Sequence, residues 1–336
     1  MHYENKTILV TGGTGSFGNY IVHRLLQKDV KEIRILSRDE KKQYDMRIHY
    51  KNHPKLKFFI GDIRDFVRVD EVMEGVDIVY QAAALKHVPV CENSPFEAVK
   101  TNIIGVQNVI TAALKHKVGK FICVSTDKAV KPVNVMGMTK ATQERLVLSA
   151  NHSPENKGTI FCVVRYGNVL LSRGSVIPFF RKQLQEDQEI TITDEEMTRF
   201  LLTLSDAIDL VMYATENANG GETFVKKAPS ARITNIAKVL CDEFERPFSF
   251  KVIGKYPGEK LHEILITEEE LQRTEDHGDY FTVHPWWANK NMNDLGVEYS
   301  SDSEIIDDLD LIKDLIRVAD EKAAEVHVEK GEFSKI

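Results

Sequence analysis

An α/β fold is predicted by three observations along the chain. β-branched apolar runs alternate with helix-patterned segments to about residue 171, a glycine-rich turn joins the first strand to the first helix, and the pattern becomes irregular from Ser172 onward. Alternation of this kind implies a parallel sheet with helices on both faces and ligands at the carboxyl ends of the strands. The expected architecture is a Rossmann-type, doubly wound parallel sheet over 1–171, to which later segments can return. A smaller mixed α/β substrate-binding lobe follows over 172–300, then a C-terminal acidic helix over 301–336.

The first element is TILVTGGTGSFG, residues 7–18, followed by the helical pattern NYIVHRLLQK. Gly12 permits a sharp turn, Gly15 a close approach of main-chain N–H groups to a pyrophosphate, and Gly18 close packing of helix on strand. Thr14, Ser16 and Phe17 complete the turn, and a dinucleotide is the expected ligand. EIRILSR closes a βαβ unit of about 30 residues. It ends in Ser37 and Arg38, where an acidic residue would hold a ribose 2′-hydroxyl. Arg38 with Lys41 would pair instead with a 2′-phosphate, which favours NADP. The competing reading makes Arg38 a solvated charge and lets Asp39 read the ribose of NAD.

DEKKQYDMRIHYK reads as a charged helix and LKFFIGDIRD as the third strand, leaving through Asp62 and Ile63. Asp62 can hydrogen-bond an adenine, cap the helix FVRVDEVMEG, or both. VDIVYQAAALKHVP is a fourth strand running into Ala82, Ala83 and Ala84, small enough for backbone to approach a cofactor, with a loop from Lys86 and His87. FEAVKTNIIGVQNVITAALKHK has apolar residues on more than one side and reads as one long helix, Phe96 to Lys117, packed on the sheet and on a partner subunit. KFICVSTDK is the fifth strand, GMTKATQERLVLSANH its helix and TIFCVVRYGNVL the sixth strand. In the lobe, EITIT and ETFVKK read as strands, and RKQLQ, SDAIDLVMYATEN and TNIAKVLCDEF as helices. The C-terminal helix would dock through Ile305, Leu309, Ile312 and Ile316.

With 336 residues, 42% hydrophobic and 28% charged, the chain can bury a large core, and its net charge of −7 argues against a nucleic-acid surface. Cys91, Cys123, Cys162 and Cys241 are too scattered for a zinc site or a disulfide framework, so no metal is expected and reduced thiols in a cytoplasm fit best. FLLTLSDAIDLVMYA is interrupted by Asp206 and Asp209 too early for a bilayer span of about 20 residues, and no membrane partner is expected.

Ser125, Thr126, Asp127 and Lys128 stand at the carboxyl end of the fifth strand, and Lys140 opens the next helix. A hydroxyl, a carboxyl and two amines converging there could bind a substrate hydroxyl, donate a proton, remove a proton and hold a nicotinamide ribose. A surface turn beside an incidental lysine is the plain alternative.

The segments TGGTGSFG, GDIRD, AAALKHVP, STDKAVKPVN, MGMTK, RYGNVLLSRGSVIPFF, MTRF and PGEKLHE together resemble the extended short-chain dehydrogenase/reductases. Within them the chain is similar to the soluble UDP-N-acetylglucosamine 4,6-dehydratases of capsular and flagellin-sugar synthesis, over about residues 5–285. The resemblance implies a closed redox cycle: NADP takes hydride from sugar carbon 4, water is lost across carbons 5 and 6, and the hydride returns to carbon 6. It implies Thr126 on the carbon 4 hydroxyl, Asp127 as acid and Lys128 as base. It places Lys86, Asn168, Ser172, Arg173, Arg199 and Glu259 near UDP-N-acetylglucosamine, and it implies a homo-oligomer, dimer or hexamer. Retention and inversion at carbon 5 both stay open.

Two departures stand out. The superfamily's YxxxK motif reads MGMTK, with Met136 in place of the tyrosine and Lys140 retained. A thioether is no base, so Lys128 or Asp127 must take the hydroxyl proton, or the protein binds NADP without catalysis. An amine base would need Lys128 depressed by a cationic Lys140. KYPGEK carries Tyr256 where the family often has arginine, so that pyrophosphate falls to Lys255 or the contact is lost. A UDP-sugar 4-epimerase is the competing enzyme, sharing the fold and the first oxidation.

Overall fold

The computed structural model describes residues 2–171, 175–288 and 296–326. Six strands, β1 (Thr7–Thr11), β2 (Glu32–Ser37), β3 (Leu56–Ile60), β4 (Ile78–Gln81), β5 (Lys120–Val124) and β6 (Ile160–Arg165), run parallel in the order β3-β2-β1-β4-β5-β6. Side chains alternate across a strand, so a strand covered on both faces must be apolar on both. β1 obeys this: Ile8 and Val10 enter one core and Leu9 the other. The first core is closed by α1 (Ser16–Leu26) and α2 (Glu40–His49) through Tyr20, Ile21, Leu25 and Met46. The opposite one is closed by α3 (Phe66–Met73), α6 (Val106–Lys115) and α7 (Val135–Ser149) through Val69, Met73, Val109, Ile110 and Val147. Between them lie two short helices, α4 (Val88–Asn93), which the sequence reading took as loop, and α5 (Pro95–Val99).

The single long helix expected from Phe96 to Lys117 is instead α5, a π-helical turn over Lys100–Gly105, and α6. The widened turn has identifiable causes. A Cβ on Gly105 would lie 2.8 Å from Ile63 Cγ1, so the backbone presses on the turn after β3 there. The buried Asn102 also turns inward, accepting from Leu85 N (2.8 Å) and donating to Leu85 O (2.9 Å) and Thr139 Oγ1 (3.0 Å). Such turns often mark functional sites; this one fastens the loop after β4 to α7.

After β6 the chain builds a lobe from α8 (Val176–Gln185), β7 (Ile190–Ile192) and β8 (Thr198–Phe200). It then returns to the sheet. α9 (Leu204–Asn217), read from the sequence as part of the lobe, packs on the first core through Ile208, Leu210 and Val211. β9 (Thr223–Lys226) extends the sheet in parallel beside β6. The lobe resumes with β10 (Ser230–Arg232), antiparallel to β8, and α10 (Ile233–Glu243). β11 (Phe250–Val252) pairs in parallel with β7, and β12 (Ile264–Ile266) leads into α11 (Glu268–Leu271). β13 (Thr274–Asp276) and β14 (Tyr280–Val283) form a hairpin that finishes the sheet antiparallel to β9.

The C-terminal helix starts later than the sequence suggests. Tyr299–Ser300 forms β15 on β12, and Ile305 bridges to Ser230. Among the described residues the chain turns helical from Leu309, as α12 (Leu309–Val326), whose start Asp308 caps by accepting from Asp310 N and Leu311 N. Ile312 and Ile316 are buried in the lobe core, as their spacing predicted.

Candidate active site

The cleft lies at the carboxyl ends of the strands, and its nucleotide side is shaped by missing side chains. Gly12 has φ +66°, and a Cβ there would stand 2.9 Å from the Ala83 backbone; one on Gly18 would stand 2.2 Å from the Gly13 carbonyl oxygen. Gly18 therefore lets α1 close on the turn itself. Gly15 caps α1 with no side-chain bond, and no acidic residue stands in the first turn, where Ser16 and Phe17 follow. The N–H groups and the positive end of the helix dipole suit an anion. Thr11 Oγ1 accepts from the N–H groups of Ala82 and Ala83 (3.2 Å each), setting the Ala82–Ala84 backbone against the glycine turn. This cradle fits a dinucleotide.

At the end of β2, Ser37 Oγ and Thr14 Oγ1 are 2.7 Å apart. Asp39 is engaged as the N-cap of α2, accepting from Lys42 N, and that bond holds its carboxyl below the usual range. Arg38 reaches Asp62 at 3.5 Å and is otherwise largely exposed at the mouth. Lys41 pairs with Asp45 along its own helix. Asp62 is not the helix cap: Asp65 caps α3, while Asp62 accepts from Arg64 N and its guanidinium. Ile63 is buried in the core against Gly105, so only its backbone can line the cleft.

The chemical centre is the turn after β5. Thr126 caps a 3-10 turn, Asp127–Ala129, and this turn rests on α7 because Gly137 has no side chain; a Cβ there would meet the Lys128 carbonyl oxygen at 2.2 Å. Thr126 Oγ1 donates to Asp127 Oδ1 (2.7 Å), and Lys128 Nζ donates to the same oxygen (3.1 Å). On its other side Lys128 Nζ lies 3.0 Å from Glu263 Oε1, a residue the sequence reading did not single out. The side chains of Asp127 and Glu263 are 1% and 4% exposed, that of Lys128 24%, so the ammonium faces the cleft with both carboxylates behind it.

Burial pushes the Asp127 carboxyl up against the pull of Lys128. Burial acts the same way on Glu263, but Lys128 and Arg199 outweigh it and hold that carboxyl below its ordinary range. For Lys128 burial works downward, yet Asp127 and Glu263 raise it overall. The expectation that Lys140 depresses Lys128 is therefore corrected: the cation opposing it is Arg199, and two carboxylates prevail. Lys140 itself donates to Val124 O (2.6 Å) and Gln143 Oε1 (3.0 Å), with burial pulling its ammonium down. Met136 is 3% exposed and packs with Cys91 and Ala98. At the tyrosine position of the motif it fills an apolar pocket and takes no part among the reacting groups.

On the lobe side a cavity of about 370 Å³ is lined by Asn168, Ile177, Phe180, Arg199, Tyr256 and Glu259 among others. Asn168 Oδ1 is buried with no hydrogen-bond partner among the described residues. Arg199 donates to the carbonyls of Thr198, Lys260 and Leu261 and lies 3.5 Å from Glu259. It thus fastens the segment that carries Glu263. Lys255 pairs with Asp194 at 3.6 Å, and Lys86 stands exposed on the loop after β4. Ser172 and Arg173 lie outside the described residues. Asn134 joins the two halves, capping α7 by accepting from Gly137 N and donating to Gly258 O (2.8 Å each). The four cysteines are buried and free, and among the described residues no helix is long and apolar enough to cross a membrane.

Residues 8–285 match the model of a family described as polysaccharide biosynthesis protein. The chain belongs to that family. A family relative named UDP-glucose 4-epimerase, from Rickettsia canadensis, is 48% identical over 310 residues, 91% of each chain. Among solved structures, Pen from Bacillus thuringiensis superposes with a TM-score of 0.88 at 40% identity, covering 95% of this chain and 100% of that one. DesIV, a dTDP-glucose 4,6-dehydratase from Streptomyces venezuelae with NAD and TYD bound, gives a TM-score of 0.68 at 20% identity, covering 76% and 86%. That likeness speaks for the shared fold, and family members and fold neighbours are named as both epimerases and dehydratases of nucleotide sugars.

Proposed function

We propose that this family member is a UDP-N-acetylglucosamine 4,6-dehydratase that uses NADP in a closed redox cycle. The observation that carries the reading is the Asp127–Lys128 pair: a carboxyl that burial favours in its protonated form beside an amine that reaches the cleft. A nicotinamide cofactor whose pyrophosphate rests on the glycine turn would supply the acceptor and donor of hydride. Thr126 would hold the carbon 4 hydroxyl, and its bond to Asp127 gives the released proton a path. Asp127 would protonate the departing carbon 6 hydroxyl, and Lys128 would remove the carbon 5 proton, acidified by the neighbouring ketone. Lys140, held by Val124 O, would orient the nicotinamide ribose.

NADP is supported by Arg38 at the end of β2 and by the engagement of Asp39 as a helix cap, which takes the acidic alternative away from a ribose 2′-hydroxyl. Asn168, with its unpartnered oxygen, and Glu259 would meet the sugar nucleotide in the lobe cavity, and the resemblance adds Lys86, Ser172 and Arg173 as substrate contacts. Self-association belongs to the same reading: Phe96 and Ile104 are large apolar side chains left exposed on α5 and the π turn.

A 4-epimerase is the second reading, favoured by the name of the Rickettsia relative. It needs no acid and base for carbons 5 and 6. Incubation with UDP-N-acetylglucosamine and with UDP-glucose, read by mass spectrometry and NMR, decides the matter: loss of one water from the former supports dehydration, an unchanged mass with a new epimer supports the alternative, and NADP binding without product from either sinks both.

A further inference from the structure

The dehydratase reading leaves a difficulty in the base. Lys128 has to be a neutral amine when it meets the carbon 5 proton, yet it sits between two carboxylates at 3.0 and 3.1 Å. One of these, Asp127, is already engaged with Thr126. The other, Glu263, comes in on the segment preceding β12, its backbone locked by Ser301, whose hydroxyl accepts from Glu263 N (2.9 Å) and whose N–H donates to Glu263 O (2.8 Å). Glu263 Oε2 and Asp127 Oδ2 are both buried without a hydrogen-bond partner among the described residues. A buried polar atom left unpaired is costly and calls for an explanation. Two acids around one ammonium form a cluster with room for one more proton than the ion pairs use.

We propose that Glu263 is a positioning residue that readies Lys128 by accepting its proton. The inference rests on the dehydratase reading. At rest Lys128 and Arg199 keep Glu263 ionised, so the transfer is transient: an N–H bond of the Lys128 ammonium breaks and an O–H bond forms on Glu263, leaving a neutral amine whose total charge with Glu263 is unchanged. The amine then takes the carbon 5 proton. The electron pair of that C–H bond becomes the carbon 5–carbon 6 double bond as the carbon 6–oxygen bond breaks, and the proton on Asp127 goes to the leaving oxygen to form water. When the proton returns to carbon 5, Glu263 gives its proton back to Lys128. Asp127 enters the cycle as the carboxylate that accepts from Thr126 and Lys128, takes the carbon 4 hydroxyl proton through Thr126 during the oxidation, and gives that proton to the departing carbon 6 oxygen, so its proton count closes over one cycle.

The internal transfer spares the site from losing a proton to solvent, and this separates a relay from an anchor. In Glu263→Gln the Lys128 proton has to leave through bulk water, so turnover at neutral pH falls by about 10²-fold, and the ascending limb of kcat against pH moves to higher pH. Glu263→Asp, which keeps a carboxylate, holds the limb near its wild-type position and recovers part of the rate. It also serves should Gln not fold. NADP affinity and melting temperature are read alongside, and ketosugar formation from UDP-N-acetylglucosamine is the assay. A Glu263→Gln profile that keeps its wild-type limb, whether turnover is intact or uniformly lowered, overturns the inference alone. A wild-type chain that makes no ketosugar overturns the dehydratase reading and the inference with it.

Discussion

Replacing Lys128 with alanine tests the chemistry and the electrostatics of the cleft together. The ammonium lies 3.1 Å from Asp127 and 3.0 Å from Glu263, both almost fully buried. Lys128→Ala leaves two carboxylates facing each other across the vacated volume. Removing one partner of a buried ion pair typically costs about 3–5 kcal/mol. Here the side chain is 24% exposed, and water entering the cleft solvates part of the remaining charge, so a loss nearer 2 kcal/mol is expected. Without the ammonium Asp127 rises further, and Glu263 rises from the depressed range in which Lys128 holds it. With both folded pKa values moved up, destabilisation is greatest above them and shrinks as pH falls and the pair takes up a proton. Turnover should fall by ~10²–10⁴ with NADP still bound, as for a lost base. Denaturant melts at pH 5 and pH 8, single-turnover ketosugar formation and NADP titration measure the three effects. Near-normal turnover would remove Lys128 from the mechanism. A stability loss that is the same at both pH values would refute the electrostatic account.

Gly18→Ala places a methyl group 2.2 Å from the Gly13 carbonyl oxygen; α1 must shift, and calorimetry should find dinucleotide affinity reduced at least tenfold with the lobe residues untouched. Arg38→Ala should weaken NADP much more than NAD, since only the former has a 2′-phosphate to pair with; equal losses, or none, would return the choice to Asp39. The buried Arg165, donating to Glu144 and Glu270, ties α7, β6 and α11 together. Although burial pushes Glu270 up, Arg165 pulls it down to about 2. A depressed carboxyl stabilises the fold above its unfolded pKa of about 4.3 and loses that contribution as pH falls toward 2. The loss is about 3 kcal/mol by linkage. Glu270→Gln should therefore melt earlier at pH 7 and show a flatter acid limb in urea titrations.

The amino-acid order alone carries the parallel sheet, the glycine cradle and the Thr126–Asp127–Lys128 turn, because each is written in local residue order. Strand periodicity, helix starts and a turn between them need only neighbours to be legible. It also carried the burial of Ile312 and Ile316 through their helical spacing. Tertiary structure decided the rest. The π turn at Lys100–Gly105 arises where Gly105 meets Ile63 and Asn102 meets Leu85, contacts that no window along the chain contains. α9 and β9 returned to the sheet for the same kind of reason: an apolar face declares that it will be buried and leaves open against what. Met136 reads as a lost tyrosine in a motif, and only its packing with Cys91 and Ala98 makes it core. The charge of Lys128 is the clearest case. Its nearest cation by motif, Lys140, is spent on the Val124 carbonyl, while Glu263, 135 positions away in the chain, stands 3.0 Å from the ammonium. Electrostatic energy depends on distance through space and on exclusion of water, and neither can be counted along a sequence.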